Sequence, residues 1–379
     1  MKRILFINPI DTGSEVETRQ DNLGIGYLIA SLDEKFGRGT FDFRLVSREV
    51  EKNLDEFHPD LVLLTSVTQN YNRAKSYAQL SAQRNIPVII GGIHISLLPQ
   101  TMTDDMRIAC LGEGERTICD LLEVLLKYNG KYDDNVLRGI PGIAYKSDGA
   151  LTATPPRPLI KNLDSLPFPA REYLNITQQA YLFSSRGCPY RCSFCSSSRY
   201  WNKVRFHSAE YVLSEIQQLH LNYAPRVISF YDDLFIADKK RLQAIAEGIR
   251  SLNLHRKIMF TCSARANLID HRVAKILKSM NVRSVGLGLE SGNEQILYYL
   301  KGGSVSVEDN YRATEILSQY GINPNASFVI GSPQETEAQI LDTYRFIRRS
   351  KVALFDVYVL TPLPATPAWQ EAEACVLVP

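Results

Sequence analysis

The chain has 379 residues, of which 45% are hydrophobic and 22% are charged, and its formal net charge is +2. These values are typical of a globular protein with two domains, and the near-neutral charge gives no reason to expect a nucleic acid or an anionic membrane as partner. No apolar run reaches the roughly 18 residues that a membrane-spanning helix needs. The apolar stretch at the N-terminus is too short for a secretion signal, so we expect a cytoplasmic protein.

Short apolar segments alternate with amphipathic ones through residues 1–128. Strands are predicted at 3–8, 40–46, 60–66, 87–91 and 107–110, and helices at 24–36, 70–84 and 115–128. Alternation of this kind, with β-branched residues in the strands, indicates a parallel sheet covered by helices on both faces. We therefore predict a Rossmann-like, flavodoxin-like domain, whose loops at the carboxyl ends of the strands would bind a ligand.

Residues 129–178 differ in composition from the segments on either side. A polar stretch begins at Asn129, a hairpin is predicted around residues 144–149, and five prolines follow between Pro155 and Pro169. A proline-dense segment is typical of a semi-rigid connection. We interpret residues 129–178 as a linker that contains a hairpin.

Residues 179–379 repeat a pattern of strand, loop and helix. Strands are predicted at 180–185, 226–231, 257–262, 284–289, 325–330 and 354–360, and helices at 208–221, 239–251, 269–280, 308–320 and 336–350. Repeated βα units of this kind curl into a barrel whose active site lies at the carboxyl ends of the strands. Six strands predict a partial (β/α)6 barrel with an open side.

Three of the seven cysteines, Cys188, Cys192 and Cys195, fall within eight residues directly after the first barrel strand. Three thiolates can hold a [4Fe–4S] cluster and leave one iron without a protein ligand. The alternative is a structural zinc site, which needs a fourth ligand. His207 is the nearest candidate, and its spacing does not resemble a zinc ribbon. The other four cysteines are interpreted as small hydrophobic residues.

The segment Cys188-x3-Cys192-x-Phe194-Cys195 resembles the motif of the radical S-adenosylmethionine (SAM) superfamily. The resemblance implies that the open iron binds the amino and carboxylate groups of SAM. It also implies that the reduced cluster cleaves SAM to a 5′-deoxyadenosyl radical, which abstracts hydrogen from an unactivated position.

Other residues at the predicted strand ends are similar to SAM-binding positions of this superfamily. The resemblance implies that Phe194 packs near the adenine and that the loop of Asp232 and Asp233 meets the SAM amino group. It also implies that Arg265 pairs with the SAM carboxylate and that Glu290 bonds to the ribose. The remaining expected SAM contacts are Ile330, Gly331 and Thr361.

The N-terminal domain is similar to the cobalamin-binding domain that precedes some radical SAM barrels. The expected cobalamin contacts follow its strands: Ser66, Thr68, Gln69, Asn70, Tyr71, Gly91, Gly92, His94, Gly112 and Glu113. The Asp-x-His-x-x-Gly motif of histidine-ligated cobalamin proteins is absent. The lower face of the cobalt is therefore expected near residues 69–71, and His94 is interpreted as a loop or tail contact. The alternative is a domain that keeps the fold without the cofactor.

The resemblance implies a cobalamin-dependent radical SAM methyltransferase, in which one SAM methylates the cobalamin and a second supplies the radical. A small-molecule substrate and an external electron donor, similar to flavodoxin or ferredoxin, would be its partners. Three alternatives stay open: a radical SAM catalyst of rearrangement, cyclisation or oxidation, a non-catalytic sensor, and a tRNA-modifying enzyme. The chain stops twelve residues after Pro367, so the open side of the barrel is bare, closed by a partner, or closed by a segment missing from this sequence.

Overall fold

A computed structural model describes residues 2–11, 13, 22–128, 133–147, 149–375 and 377. The chain divides into two compact units, Met1–Asn175 and Ile176–Pro379. In the part of the chain that is described, no helix is long and apolar enough to cross a membrane.

The first unit contains a seven-stranded sheet in the order β2-β1-β3-β4-β5-β6-β7. The strands are β1 Lys2–Ile7, β2 Phe41–Val46, β3 Leu61–Thr65, β4 Val88–Gly91, β5 Ile108–Cys110, β6 Ile143–Ser147 and β7 Ala150–Ala153. The first five pair in parallel in the flavodoxin-like order. The predicted Rossmann-like fold is therefore confirmed.

Helices cover both faces of this sheet. They are α1 Leu23–Phe36, α2 Val50–Phe57, α3 Tyr71–Ala82, α4 Ile93–Leu97, α5 Gly114–Lys127 and α6 Asp134–Arg138. Alternate side chains of β1 enter two separate apolar cores, with Ile4 and Phe6 in one and Leu5 and Ile7 in the other. The buried strands read as continuous apolar runs because both of their faces are covered.

The hairpin that the sequence places in a linker extends the first sheet instead. Strand β6 pairs antiparallel with β5, and β7 pairs with β6. The physical reason is burial, since Ile143 and Tyr145 are at most 1% exposed in the core beneath the sheet. Residues 129–132, where the linker was predicted to begin, and Asp148 in the hairpin turn lie outside the described residues.

The second unit contains six parallel strands in the order β15-β14-β13-β12-β11-β8. These are β8 Gln179–Leu182, β11 Val227–Phe230, β12 Met259–Ala264, β13 Val282–Glu290, β14 Asn323–Ile330 and β15 Leu354–Val359. The first and last strands do not pair with each other, so the predicted partial barrel is confirmed. A two-residue ladder, β9 Ser185–Arg186 with β10 Arg205–Phe206, follows β8.

The barrel helices are α7 Ser197–Trp201, α8 Ala209–Tyr223, α9 Lys239–Ser251, α10 His271–Ser279, α11 Glu294–Lys301, α12 Val307–Gln319, α13 Glu337–Arg349 and α14 Pro367–Ala374. Alternate strand residues such as Ile228, Leu287 and Phe328 belong to the apolar core. The sequence did not predict α7, α11 or α14, because each is only five to eight residues long. All three adjoin the site described next.

Candidate functional site

The three clustered cysteines lie in a loop at residues 187–196, called the cysteine loop below, which connects β9 to α7. The Ser193 amide donates to the Leu300 carbonyl at 2.9 Å, and the Ala368 amide donates to the Ser193 carbonyl at 3.1 Å. The Ser196 hydroxyl donates to the Pro364 carbonyl at 2.8 Å. The end of α11 and the start of α14 therefore hold the loop in place.

The thiols of Cys188, Cys192 and Cys195 are unpaired and partly buried. Burial raises the pKa of Cys188 to about 11 and also raises the pKa of Cys195. Among the described residues, no three metal-ligating side chains converge on a single ion. Three thiols in one short loop are a ligand set that a [4Fe–4S] cluster uses, with each thiolate on a different iron.

Arg265 follows β12 and is only 5% exposed. Its Nη1 lies 3.5 Å from the Cys192 Sγ, and its Nη2 donates to the Ser304 hydroxyl at 2.6 Å. The guanidinium carbon lies 3.9 Å from the centre of the Tyr190 ring. Within the described part of the chain no carboxylate forms an ion pair with Arg265. A buried cation without a carboxylate fits a site that receives an anionic group.

Asp232 and Asp233 have different surroundings, although they are adjacent at the end of β11. Asp232 is 3% exposed and accepts four hydrogen bonds, from the amides and hydroxyls of Ser184 and Ser185. Burial raises the pKa of Asp232, and these hydrogen bonds oppose the shift. Asp233 is exposed and accepts from the Ser197 hydroxyl at 2.7 Å. Of the two, only Asp233 is placed to meet a ligand.

Glu290 ends β13 in the left-handed conformation, with φ +64°. It is 6% exposed, and its Oε1 lies 3.2 Å from the ammonium of Lys301, which is also buried and donates to the Gly288 carbonyl. The sequence did not reveal Lys301, because the pairing depends on helix α11. Any ribose that bonds to Glu290 therefore meets a carboxylate already held by a lysine.

Gly288→Ala should displace the Glu290 carboxylate, because an added Cβ would lie 2.3 Å from Oε1. We expect a loss of about 1–3 kcal/mol in the free energy of unfolding, measured by chemical denaturation, together with weaker SAM binding. The control is Gly286→Ala in the same strand, whose Cβ would meet only atoms at 3.7 and 3.8 Å. Equal losses in the two variants would contradict the role of Gly288.

The other expected SAM contacts lie at the carboxyl ends of β14 and β15 or in the cysteine loop. Phe194 packs against a small cluster of Ile296, Leu300 and Val329. The Gly331 amide donates to the Glu335 carboxylate at 2.6 Å, which closes the loop after Ile330. Thr361 is exposed, and its hydroxyl donates to the Val359 carbonyl. These residues surround the same end of the barrel as the cysteine loop.

Three of the candidate cobalamin contacts in the first unit, His94, Tyr71 and Thr68, lie in contact with one another around the buried His94 ring. The His94 ring stacks on Tyr71 at 3.9 Å, with Nδ1 3.2 Å from Thr68 and Nε2 3.2 Å from Thr101. The Thr101 hydroxyl donates to the Leu98 carbonyl, so Nε2 carries the proton and donates to Thr101. Both nitrogens are engaged, which agrees with the interpretation that His94 is not a cobalt ligand.

The pH dependence of stability should report this buried histidine. Burial lowers the pKa of His94 to about 4 from an ordinary 6.5, so the unfolded chain takes up the proton first. The contribution of neutral His94 to the free energy of unfolding is then fully present above pH 6.5. It falls by about 2–3 kcal/mol as the pH drops toward 4. Between these pH values, the melting temperature should change less steeply with pH for His94→Gln than for wild type. The same dependence of melting temperature on pH in both proteins would contradict the role of His94.

The remaining loops of this sheet edge are shaped by two glycines and two polar groups. Gly92 has φ +101° and Gly112 has φ +80°. The Glu113 carboxylate accepts from the Ile160 amide at 2.7 Å and so ties the proline-rich segment to the sheet. The Ser66 hydroxyl is buried and has no hydrogen-bond partner among the described residues. An unsatisfied buried hydroxyl at a strand end fits a polar ligand there.

The other candidates after β3 differ in exposure. Gln69 is exposed, whereas the Asn70 side chain accepts from the Val67 amide at 3.0 Å. Tyr71 is buried, and its hydroxyl donates to the Thr101 carbonyl. Gln69 is therefore the side chain of this group that is best placed to meet a ligand above the sheet edge.

Two family models match the chain. The radical SAM superfamily model matches residues 182–347, and the B12-binding domain model matches residues 11–122. These ranges fall on the barrel and on the flavodoxin-like sheet.

Two curated relatives match almost the full chain. An uncharacterized methyltransferase of Pyrococcus horikoshii is 31% identical over 99% of this chain and 83% of its own length. An anaerobic magnesium-protoporphyrin IX monomethyl ester cyclase of Rubrivivax gelatinosus is 26% identical over 97% of this chain and 70% of its own length.

The fold is also that of a solved structure, the radical SAM methyltransferase TsrM of Kitasatospora setae. The two superpose with a TM-score of 0.82 at 17% identity, over 99% of this chain and 77% of the other. The chain therefore belongs to the radical SAM superfamily, among the enzymes whose barrel follows a B12-binding domain, and its cofactors are a [4Fe–4S] cluster, SAM and cobalamin.

Proposed function

We propose that this enzyme is a cobalamin-dependent methyltransferase that acts on an unactivated carbon, or on phosphorus, of a small molecule. The observation that carries the proposal is the pairing, in one chain, of the cysteine loop at the barrel mouth with a B12-binding domain. The methyltransferase relative over 99% of the chain supports it.

In this proposal Cys188, Cys192 and Cys195 hold the cluster. When bound, the cluster supplies the electron that cleaves SAM, and cobalamin supplies a cobalt centre that can accept and donate a methyl group. The chain keeps the thiols at the barrel mouth through the backbone bonds of Ser193 and the hydroxyl of Ser196. Partial burial of the thiols limits their contact with water.

The proposed SAM contacts lie at the strand ends around the mouth. Glu290, steadied by Lys301, orients the ribose, and Phe194 packs near the adenine. The other proposed contacts are Asp233, Ile330, Gly331 and Thr361. Asp232 is proposed to position the strand before the cysteine loop, because its four hydrogen bonds leave little capacity for a ligand.

The proposed cobalamin contacts are the sequence-predicted loop residues of the first unit. Ser66, with its unsatisfied hydroxyl, and Gln69, with its exposed side chain, are the strongest of them. Gly91, Gly92, Gly112 and Glu113 shape the loops. Thr68, Asn70, Tyr71 and His94 act by holding the β3 loop in place, since each already has a partner within the unit.

The residues of the barrel lumen support a proposal for the kind of substrate. Strand positions that alternate with the apolar core carry small polar residues, and the Ser229 hydroxyl lies 2.7 Å from Thr261. The Asn325 Oδ1 is buried and has no partner among the described residues. At the mouth, the rings of Tyr181 and Phe183 lie 5.6 and 5.5 Å from Tyr231. We propose a substrate with hydrogen-bonding groups and a flat or apolar portion.

Phe235 and Tyr358 are two further aromatic residues that could line the site. However, Phe235 lies in the core and Tyr358 lies on an edge strand. Phe235 is completely buried and stacks on Phe230 at 4.0 Å, so it belongs to the core. Tyr358 lies on the edge strand β15 and is 45% exposed. The aromatic part of the proposed site is therefore the group around Tyr231.

A second candidate function is cyclisation or another radical rearrangement. The observation that favours it is the cyclase relative, which matches 97% of this chain. The two reactions differ in whether a methyl group is gained by the product. An external one-electron donor is proposed for both.

The test is an anaerobic incubation of the reconstituted enzyme with hydroxocobalamin, SAM, strong reductant and candidate substrates. We expect retained corrinoid, with formation of both 5′-deoxyadenosine and S-adenosylhomocysteine. 5′-Deoxyadenosine without S-adenosylhomocysteine, with corrinoid retained, would contradict methyl transfer and favour cyclisation. Failure to form either product with the cluster intact would contradict both functions.

A further inference from the structure

Arg265 lies against the cysteine loop rather than toward the open mouth. Its guanidinium is enclosed by the Cys192 thiol on one side, the Tyr190 ring on a second, and Ser304 with the Lys301 carbonyl on a third. The Tyr190 hydroxyl accepts in turn from the Asn267 side chain at 3.4 Å. The arginine is therefore fixed in position before any ligand binds.

The charges around Arg265 leave its own charge uncompensated. The buried carboxylate of Glu290 pairs with Lys301 at 3.2 Å. Asp232 is bonded to the two serines before the loop. Among the described residues in contact with the guanidinium, the Cys192 thiol is the one that becomes an anion when it binds iron.

We propose that Arg265 is a positioning residue of the cluster, one that raises its reduction potential through the charge-assisted hydrogen bond to Cys192, and not the partner of the SAM carboxylate. The inference rests on the proposed function, because it requires a cluster at this loop. Reduction adds one negative charge to the cluster. A fixed buried cation beside one of its sulfur ligands stabilises the reduced form more than the oxidised form.

The test compares Arg265→Gln with Arg265→Lys in the reconstituted full chain. A redox titration followed by EPR measures the reduced fraction of the cluster, and SAM affinity is measured separately by calorimetry. For Arg265→Gln we expect the ratio of reduced to oxidised cluster at a fixed potential to fall about tenfold, which equals about 59 mV for one electron. Arg265→Lys should stay close to wild type, and SAM affinity should be unchanged in both.

A loss of SAM affinity in Arg265→Gln with an unchanged potential would overturn the inference and restore the carboxylate role. If that variant does not load the cluster, Ser304→Ala decides, because it removes an anchor of the guanidinium and keeps the charge. A smaller shift in the same direction supports the inference, and no shift overturns it. Absence of a cluster from the wild type would instead overturn the proposed function.

Discussion

Asp232→Ala should lower the free energy of unfolding by about 3–5 kcal/mol, measured by chemical denaturation of the apoprotein. The carboxylate is 3% exposed and accepts from the amides and hydroxyls of Ser184 and Ser185. Its removal leaves two buried amides and two buried hydroxyls without partners. These serines lead directly into the cysteine loop, so cluster loading should fall as well.

The matched control is Asp233→Ala at the next position. Asp233 is exposed and accepts from the hydroxyl of Ser197, so its removal should cost about 1 kcal/mol or less. Weakened SAM binding with normal stability is the result expected of this variant. A stability loss in Asp233→Ala as large as that of Asp232→Ala would contradict the division of roles between the two carboxylates.

Gly92→Ala should have an effect of similar size in the first unit. Gly92 has φ +101° and ψ 174°, a conformation that is nearly restricted to glycine, and an added Cβ would lie 2.4 Å from the Ser66 carbonyl oxygen. We expect a loss of about 3–5 kcal/mol from strain and overlap together. Because the clash pushes on Ser66, retention of cobalamin after gel filtration should also be lost.

Gly91→Ala is the control for this change. An added Cβ there would meet only Cys110 atoms, at 3.8 and 3.9 Å, and Gly91 has no positive φ. Stability should stay near wild type. An equal loss of stability in both variants would show that the geometry at Gly92 is not the cause.

Most of the fold could be predicted from the sequence because the spacing of apolar residues along the chain reflects which faces of each strand and helix are buried. Continuous apolar runs such as residues 61–64 identify strands that are covered on both faces, and amphipathic segments such as α5 identify the helices that cover them. The position of the cysteine loop followed from its place shortly after the first barrel strand, β8. These are local properties of the chain.

The partners of the site residues could not be predicted in the same way. Lys301 lies on a helix of only eight residues, and its pairing with Glu290 depends on how that helix returns to the strand end. Asp232 and Arg265 have the residue types that a SAM site uses, yet their contacts are with Ser184, Ser185 and Cys192. A position at a strand end predicts that a side chain lies near the site. Its contacts there depend on how the surrounding elements pack, which the local sequence does not reveal.

A comparison of wild type with Cys192→Ala after anaerobic reconstitution tests whether the cysteine loop holds a catalytic cluster. Iron and sulfide content, SAM cleavage and corrinoid binding are measured on the same preparations. We expect wild type to contain iron and sulfide in the amounts of one [4Fe–4S] cluster and to form 5′-deoxyadenosine, whereas the variant loses cleavage and keeps its corrinoid. SAM cleavage by Cys192→Ala at the wild-type rate would show that the cysteine loop does not hold the catalytic cluster.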